Sequence, residues 1–378
     1  MKLLFIVNDL DFFYSHRLEL ANEAIRRNFN VYILSNKVPK ISNTNISYLG
    51  IDISRSKTGI LENLNSVLKL RKAIKYIDPD IIHNITLKPI IFSNLILFFN
   101  SKVSIINAIT GLGYLFTKNR NSAVKRIIQA LIKLILTKKS SHYIFQNIYD
   151  LNEFQKLGVR DNFTLIRGSG VDSKEFGYIA PKQKQKVNIT FTGRMLKDKG
   201  VIELIQAVNL LPEKIKLKVI LNLYGKIDLK NPAHITEAEL KKQLSTDFIV
   251  WHGQTNKVKQ VLKEADIYCL PSYREGLPKS TLEAMAIGRP IVTTNAPGCN
   301  DTVINGYNGF KVPVNSPLEL SKRLKDLISD QQLRLSMGRK SRILFEKNFT
   351  LKQILDQTFD VYKKILKVEN LDNNKFKL

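Results

Sequence analysis

Short apolar segments alternate with longer amphipathic segments along most of the chain. In the first half, the apolar runs typical of buried parallel strands cover residues 2–8, 31–34, 80–83, 103–108, 142–146 and 163–166. The segments predicted as helices cover residues 15–28, 60–77, 89–99, 122–137 and 148–157. Because strands that alternate with helices build parallel sheets, the pattern predicts a doubly wound α/β domain.

A polar, glycine-containing stretch interrupts this alternation near the middle of the chain. Residues 168–172 contain two glycines, and residues 180–186 are mostly lysine and glutamine, so we place the domain linker there. The alternation resumes with a predicted strand at residues 187–192. The pattern therefore predicts a first domain over residues 1–180, a second over residues 181–350 and a C-terminal segment over residues 351–378.

One stretch of the second half joins an apolar run to a helix through a tight turn. Residues 265–270 are predicted as a buried strand, and the chain then turns at residues 275–278. A helix is predicted to begin at about Lys279 and to end before Gly288. Free N–H groups and about half a positive charge point out of a helix N-terminus, so this turn is a candidate anion site.

Two glutamates, Glu275 in the turn and Glu283 in the helix, are separated by eight positions. A fully helical spacing would place them ~12 Å apart along the axis. The pair therefore suits two ends of one long polar ligand better than a mutual contact. The alternative is structural, with Glu283 complementing the helix dipole in the first turn and Glu275 an ordinary turn residue.

A second candidate site follows the predicted strand at residues 187–192. The loop after it begins with Gly193, which allows close approach of backbone to a ligand, and contains Arg194 and Lys199. Two cations beside a diphosphate would stabilise the charge on a leaving nucleotide, a role that a metal ion could otherwise fill. The alternative is a solvated basic loop.

Composition and charge set limits on the class of protein. A chain of 378 residues with 44% hydrophobic and 24% charged residues suits two globular domains. Its net charge of +26 favours an anionic partner, which can be a nucleic acid, a membrane surface or a small molecule. The apolar run at residues 3–7 is too short for a signal peptide, and we expect a soluble or peripheral protein. Cys269 and Cys299 match no metal-binding or redox spacing.

The residues around the turn resemble a known signature. Glu-Gly-Leu-Pro at 275–278, Glu283 eight positions after Glu275, and the following Ala-Met-Ala-Ile-Gly-Arg-Pro-Ile-Val are similar to the donor site of retaining GT-B glycosyltransferases of family 4. The amino-acid string at residues 271–278, Pro-Ser-Tyr-Arg-Glu-Gly-Leu-Pro, resembles that of the branch of capsule, O-antigen and lipid-linked glycan transferases. The resemblance implies two Rossmann-like domains, an interdomain active-site cleft and a helix at residues 351–366 that crosses back to the first domain.

The resemblance also implies roles for individual residues. Arg194 and Lys199 would hold the donor diphosphate without a metal ion, while Glu275 would orient the sugar hydroxyls and Glu283 the ribose hydroxyls. Arg194, Lys199 and Glu275 are the predicted catalytic residues. The remaining predicted donor-binding residues would present backbone to the phosphates, sugar and base, and they are Gly193, Gly253, Gly276, Leu277 and Pro278.

The first domain departs from the family pattern in two loops. Residues 8–13 lack the glycine pair of many relatives, so Phe12 and Phe13 could instead contact a lipid or an acceptor sugar. Thr110 stands where relatives often have a histidine before a Gly-Leu-Gly loop. Front-face retaining chemistry tolerates this change, because the departing phosphate can accept the acceptor proton. His83 could line the cleft or be a hydrogen-bonded strand-end residue.

The predicted helix at residues 122–137 is basic on one side and apolar on the other. This pattern predicts docking on an anionic membrane surface, and the alternative is a core-packing helix with a solvated basic rim.

The prediction is a metal-independent, retaining hexosyltransferase. It would use a nucleotide-sugar of the UDP-GlcNAc or UDP-GalNAc type and a lipid-linked saccharide at the cytoplasmic face of a bacterial membrane. The alternatives are a nucleotide-sugar epimerase, a sucrose-type synthase or a nucleic-acid-binding protein, although the chain carries no recognisable nucleic-acid module.

Overall fold

The computed structural model describes residues 1–39, 45–53, 60–99, 102–112, 123–136, 141–182, 184–229, 231–244 and 247–366. The chain divides into two compact units. The first comprises Met1–Ser169 with Ile354–Leu378, and the second comprises Gly170–Gln353.

The first unit contains a seven-stranded parallel sheet in the order β3-β2-β1-β4-β5-β6-β7. Its strands are β1 Lys2–Val7, β2 Asn30–Ser35, β3 Ile46–Gly50, β4 Ile81–Ile85, β5 Ser104–Ile109, β6 Ser141–Phe145 and β7 Phe163–Leu165. Its first six helices are α1 Leu10–His16, α2 Leu18–Arg26, α3 Ile60–Ile77, α4 Leu87–Ile96, α5 Ala123–Leu136 and α6 Ile148–Leu157. In this sheet β1 lies between β2 and β4, with Phe5 opposite Ile33 on one side and His83 on the other.

One local prediction for this unit was wrong, and one strand was not predicted. The single helix predicted over residues 15–28 is two helices, because the side chain of Asp9 caps α1 by accepting from the amides of Asp11 and Phe12, and the helical backbone breaks at Arg17. Strand β3 was not predicted, because only the first of its five residues is buried and the strand carries no continuous apolar run.

The second unit contains a six-stranded parallel sheet in the order β10-β9-β8-β11-β12-β13. Its strands are β8 Val187–Thr192, β9 Val219–Tyr224, β10 Ile249–Trp251, β11 Ile267–Leu270, β12 Ile291–Thr294 and β13 Gly309–Val312. Its helices are α7 Val201–Asn209, α8 Glu213–Lys216, α9 Glu237–Gln243, α10 Val258–Glu264, α11 Lys279–Ile287, α12 Pro317–Ser329 and α13 Gln331–Asn348. The strand predicted at residues 187–192 coincides with β8.

The second unit starts earlier than the sequence indicates, at Gly170 instead of residue 181. Val171 forms a parallel bridge with Thr350, Phe176 is part of the second unit's core, and the amide of Ile179 donates to the carbonyl of Ile287. These contacts are made by isolated residues in a polar stretch. No periodic pattern in the sequence could therefore assign residues 170–180 to this unit.

The last described helix, α14 (Leu351–Ile365), belongs mostly to the first unit. Phe359 and Tyr362 on this helix are buried, and Phe359 lies 6.1 Å from Phe29 between ring centroids. Arg27 also lies over the ring of Phe359, at 4.2 Å. The C-terminal helix therefore packs into the core of the first unit, against residues near the start of the chain.

Candidate active site

The turn and helix that follow β11 have the predicted form. Helix α11 spans Lys279–Ile287, begins after Pro278 and ends at Gly288, whose φ of 89° is the left-handed conformation of a helix C-terminus. Most of its residues are buried, including Leu282 and Met285. This burial packs α11 into the core of the second unit.

The loop after β8 packs directly on the loop after β11. Residues Lys197–Lys199 form a short 3₁₀ turn that ends at Gly200, with φ of 70°. A Cβ at Gly200 would lie 2.1 Å from the carbonyl oxygen of Pro271, so only glycine permits this approach. The amide of Tyr273 donates to the carbonyl of Asp198 at 2.8 Å. These contacts bring together two loops that are more than seventy residues apart in sequence.

Lys199 and Glu275, two of the predicted catalytic residues, form an ion pair. The Lys199 ammonium donates to Oε1 of Glu275, and the two side chains are 20% and 12% exposed. Asp198 lies beside the pair, and burial raises the pKa of its carboxyl group, opposed by the charge of Lys199. Among the described residues, Oδ1 of Asp198 has no hydrogen-bond partner. Sequence reasoning missed Asp198, although it directly precedes Lys199.

The third predicted catalytic residue, Arg194, is held by a different carboxylate. Its Nη1 lies 2.7 Å from Oδ2 of Asp228, which follows β9. Sequence reasoning missed Asp228 because nothing in the pattern of its own segment marks it. The structure thus holds Arg194 and Lys199 on separate acidic partners, and it does not pair Arg194 with Glu275.

The turn at residues 275–278 is supported by a second glycine loop. The amide of Glu275 donates to the carbonyl of Pro297 at 3.0 Å. A Cβ at Gly298, whose φ is 76°, would lie 2.4 Å from the carbonyl oxygen of Glu275. The three residues after Glu275 are buried, and they are Gly276, Leu277 and Pro278. Their backbone position is therefore set by close packing.

Glu283 lies on α11 and is 13% exposed, with its carboxylate 3.7 Å from the ammonium of Lys279. Burial raises the pKa of Glu283 to about 7, Lys279 opposes the shift and the charge of Glu175 adds to it. Burial also raises the pKa of Tyr268, and the charges of Glu283 and Glu275 contribute. The two glutamates therefore flank a common buried tyrosine while they contact different lysines.

Three glycines adjoin one another where β8, β9 and β10 end. Gly193 and Gly253 were predicted to bind donor, and Gly225, which sequence reasoning missed, connects them. A Cβ at Gly225 would lie 1.7 Å from the carbonyl oxygen of Gly193, and the Gly225 amide donates to the carbonyl of Gly253 at 2.7 Å. The ring of His252 stacks on Tyr224 at 4.4 Å, which agrees with a packing role for this histidine.

The first unit contributes less to the predicted site. Phe13 is fully buried against Phe5, so the expectation that it contacts a ligand was wrong, whereas Phe12 is partly exposed and stacks on His16. His83 is buried, with its Nδ1 2.7 Å from the hydroxyl of Tyr362. Of the Gly-Leu-Gly loop, residues 113 and 114 lie outside the described residues.

The helix predicted at residues 122–137 is α5, Ala123–Leu136. Ile132 and Ile135 are buried, whereas Arg126 and Lys133 are exposed. Residue 122, at the predicted start of this helix, and the side chain of residue 125 lie outside the described residues.

Neither a metal centre nor a spanning helix is found in the described ranges. No three His, Cys, Asp or Glu side chains there are grouped so that they could hold a metal ion, and metal independence stays a prediction. No described helix combines the length and hydropathy needed to cross a bilayer.

Comparisons with known proteins cover both units. Residues 2–147 match a family model described as "Glycosyl transferase 4-like", and residues 173–343 match one described as "Glycosyl transferases group 1". The N,N'-diacetylbacillosaminyl-diphospho-undecaprenol alpha-1,3-N-acetylgalactosaminyltransferase of Campylobacter jejuni is 24% identical, over 86% of this chain and 89% of its own. The UDP-Gal:alpha-D-GlcNAc-diphosphoundecaprenol alpha-1,3-galactosyltransferase of Escherichia coli is 22% identical, over 80% of each.

The fold is also found among solved structures. Sucrose-phosphate synthase from Thermosynechococcus elongatus superposes with a TM-score of 0.81 at 16% sequence identity, and the match covers 98% of this chain and 100% of that one. At this identity the likeness concerns the fold alone.

Proposed function

Because this chain belongs to the family 4 glycosyltransferases of GT-B fold, as its sequence predicted, we propose that it transfers a sugar from a UDP-sugar to a lipid-linked saccharide with retention of anomeric configuration. The names of the two relatives, which act on undecaprenol diphosphate-linked sugars, support the acceptor class. The name of the second relative supports a UDP-linked donor, and that of the first an N-acetylated hexosamine. The observation that carries the proposal is the ion pair of Lys199 with Glu275.

This pair places a cation for the donor phosphate next to a hydrogen-bond acceptor for the donor sugar. The ammonium of Lys199 can bind the β-phosphate, which gains negative charge as the bond to the sugar breaks. The carboxylate of Glu275 can accept hydrogen bonds from sugar hydroxyls. Their mutual pairing holds both side chains in place before donor binds, which lowers the cost of ordering them.

Arg194 adds a second cation, held in position by Asp228. Its guanidinium can donate two parallel hydrogen bonds to one phosphate, whereas the ammonium of Lys199 acts as a point charge. We assign Glu283, at the middle of α11, to the ribose hydroxyls.

The reaction in this scheme exchanges one bond at the anomeric carbon. The bond from this carbon to the β-phosphate oxygen breaks, and the bond to the acceptor oxygen forms on the same face. The acceptor hydroxyl proton passes to the departing phosphate, so no protein side chain needs to act as base. Lys199 and Arg194 stabilise the released UDP.

The test compares two lysines of one turn. Lys199→Ala should lower kcat/KM by about a hundredfold or more, since it removes a charge that acts on the leaving group. Lys197→Ala is the matched control, because Lys197 is exposed and paired with Glu239 on the surface. The measurement is transfer from radiolabelled UDP-GlcNAc or UDP-GalNAc to a short-chain lipid diphosphate saccharide, with unfolding curves for both variants.

Two results would contradict the assignment. One is full activity of Lys199→Ala, and the other is an equal loss in both lysine variants. A thermal-shift series with UDP-, GDP- and ADP-sugars tests the donor class separately, and stabilisation by GDP- or ADP-sugars alone would exclude a UDP donor. Product analysis separates transfer from epimerisation and from sucrose-type synthesis.

We also propose that α5 docks on the anionic membrane that carries the acceptor. Arg126 and Lys133 are exposed seven positions apart, and so are the apolar Ile127 and Leu134, at 59% and 46%. Seven residues are about two helical turns, so these four side chains form one exposed basic and apolar stripe. Such a stripe suits the headgroup region of a bilayer.

A further inference from the structure

Arg17, at the break between α1 and α2, is a buried cation that the proposed donor chemistry does not use. It is 6% exposed, and burial lowers the pKa of its guanidinium to about 10. Transfer of a charged group out of water is costly unless it is paired and hydrogen-bonded. A buried arginine should therefore have a visible partner.

Within the described part of the chain, Arg17 has almost none. Its side chain makes one long hydrogen bond, from Nη1 to the carbonyl of His16 at 3.4 Å, and Nε has no acceptor. No carboxylate among the described residues forms an ion pair with it. A guanidinium carries five N–H donors, so most of its hydrogen-bonding capacity is unused.

Arg289, a second deeply buried arginine, shows what a structural role looks like in this protein. Arg289 is also buried, and it donates to three backbone carbonyls at 2.9–3.1 Å, those of Ile179, Leu262 and Lys263. Each of its three nitrogens thus has an acceptor in the fold. Among the described residues no group plays the same part for Arg17, which leaves its guanidinium available to a bound ligand.

His83 near Arg17, and two residues that directly follow strands β1 and β4, carry further unused polar atoms. Its charge is close enough to His83 to lower the pKa of that imidazole, in addition to the larger effect of burial, which keeps the ring neutral. Nε2 of His83, Oδ1 of Asn8 and Oγ1 of Thr86 have no partner among the described residues, and all three residues are at most 5% exposed. Thr86 also has a φ of 77°, a strained conformation for a residue other than glycine.

Three of these residues lie on, or directly after, two neighbouring strands of the sheet. His83 lies on β4, opposite Phe5 of β1, while Asn8 follows β1 and Thr86 follows β4. Parallel α/β sheets bind ligands beyond the carboxyl ends of such neighbouring strands. Thr86 also precedes the N-terminus of α4, whose dipole favours a negative charge.

We propose that Arg17 is the anchor of an anion site in the first unit and binds the diphosphate of the lipid-linked acceptor. A guanidinium with unused donors and no carboxylate partner matches a phosphate group, which accepts two hydrogen bonds from it. The inference rests on the proposed function for the identity of the ligand, because Arg194 and Lys199 account for the donor phosphates and leave the acceptor diphosphate unassigned.

The test measures binding without turnover. Farnesyl diphosphate is titrated calorimetrically into the full-length protein in saturating UDP, which occupies the donor site. Arg17→Met should weaken binding about tenfold or more, because it removes charged hydrogen bonds, while Arg17→Lys should weaken it less. Farnesol, which lacks the diphosphate, should bind wild type and Arg17→Met equally.

Thermal unfolding separates this role from a structural one. Without ligand, Arg17→Met should melt at the wild-type temperature or higher, since it removes an uncompensated buried charge. Arg289→Met is the matched control and should melt clearly lower, because it leaves three buried carbonyls unpaired.

Three results would overturn the proposal. They are unchanged farnesyl diphosphate binding in Arg17→Met, a fall in its melting temperature equal to that of Arg289→Met, and inorganic pyrophosphate binding as tightly as farnesyl diphosphate with the same dependence on Arg17. The last would assign the site to a free diphosphate. If the wild-type protein shows no transfer activity but binds farnesyl diphosphate in an Arg17-dependent way, the proposed function is refuted and the anion site is retained.

Discussion

Single backbone positions hold the residues of the donor site in place. Gly298 has a φ of 76°, and its Cα lies so close to the carbonyl of Glu275 that an added Cβ would be 2.4 Å from that oxygen. Gly306 has nearly the same φ, 77°, but nothing lies within 4 Å of the position of its Cβ. An alanine at either position would have a strained backbone, but only an alanine at position 298 would also clash with a neighbouring atom.

We expect Gly306→Ala to lower the free energy of unfolding by about 1 kcal/mol, the cost of a left-handed alanine. Gly298→Ala should lower it by about 3 kcal/mol or more and should also reduce transfer activity, because the carbonyl of Glu275 must move. Urea unfolding and the transfer assay measure the two effects. Equal destabilisation by both substitutions, with activity retained, would show that the Gly298 contact does not position Glu275.

The buried carboxyl group of Glu283 predicts a pH dependence of stability. Its pKa is raised from 4.5 to about 7, so the native state holds a proton that the unfolded state has lost between these pH values. Stability contributed by this group is therefore present below pH 4.5 and lost as the pH rises through 7. The total change is about 3 kcal/mol for a shift of this size.

Glu283→Gln should remove this dependence. Glu237→Gln, which changes an exposed glutamate on α9, is the matched control and should show the same change of unfolding free energy with pH as wild type. Glu283→Gln should gain stability relative to wild type as the pH rises from 5 to 8, as measured by urea unfolding. A constant difference between the two proteins over this range would refute the raised pKa.

At the scale of single elements, α5 joins two kinds of surface. Its inner side packs Ile132 and Ile135 into the first unit, while Ile127 and Leu134 remain exposed beside basic residues. The transfer of an exposed apolar side chain from water to the acyl boundary of a bilayer lowers the free energy. This exposure favours membrane docking over the core-packing alternative.

The double substitution Arg126→Glu with Lys133→Glu should reduce sedimentation with anionic liposomes at least tenfold, since each basic residue contributes about 1 kcal/mol near the surface. Lys259→Glu with Lys263→Glu on α10 of the second unit makes the same change in net charge and should have a smaller effect. No binding of the wild-type protein to anionic vesicles at low salt would contradict docking, and an equal effect of both pairs would assign it to net charge alone.

At the scale of the whole molecule, each compact unit brings its own cluster of polar residues to the carboxyl ends of its strands. The second unit collects Arg194, Lys199 and Glu275 after its strands, and the first has Asn8 and Thr86 directly after β1 and β4 and the buried Arg17 near His83 of β4. The net charge of +26 surrounds both clusters with a field that attracts phosphorylated ligands. Donor and acceptor would thus be recognised by different units.

Most elements and part of the site could be predicted from the chain alone. Strand β8 and helix α11 were predicted closely, because an apolar run, a Pro at the start of a helix and a Gly at its end act through neighbouring residues. The strand, turn and helix that carry Glu275 and Glu283 occupy one continuous stretch of sequence. Their resemblance to a family could therefore be recognised from the sequence alone.

Tertiary structure decided which side chains meet. The pairing of Lys199 with Glu275 depends on Gly200 against Pro271, and that of Arg194 with Asp228 on two neighbouring strand ends. The isolation of Arg17 likewise appears only once the chain around it has closed. Local pattern specifies elements because its interactions span a few residues, whereas burial and pairing depend on contacts between segments distant in sequence, which no local pattern encodes.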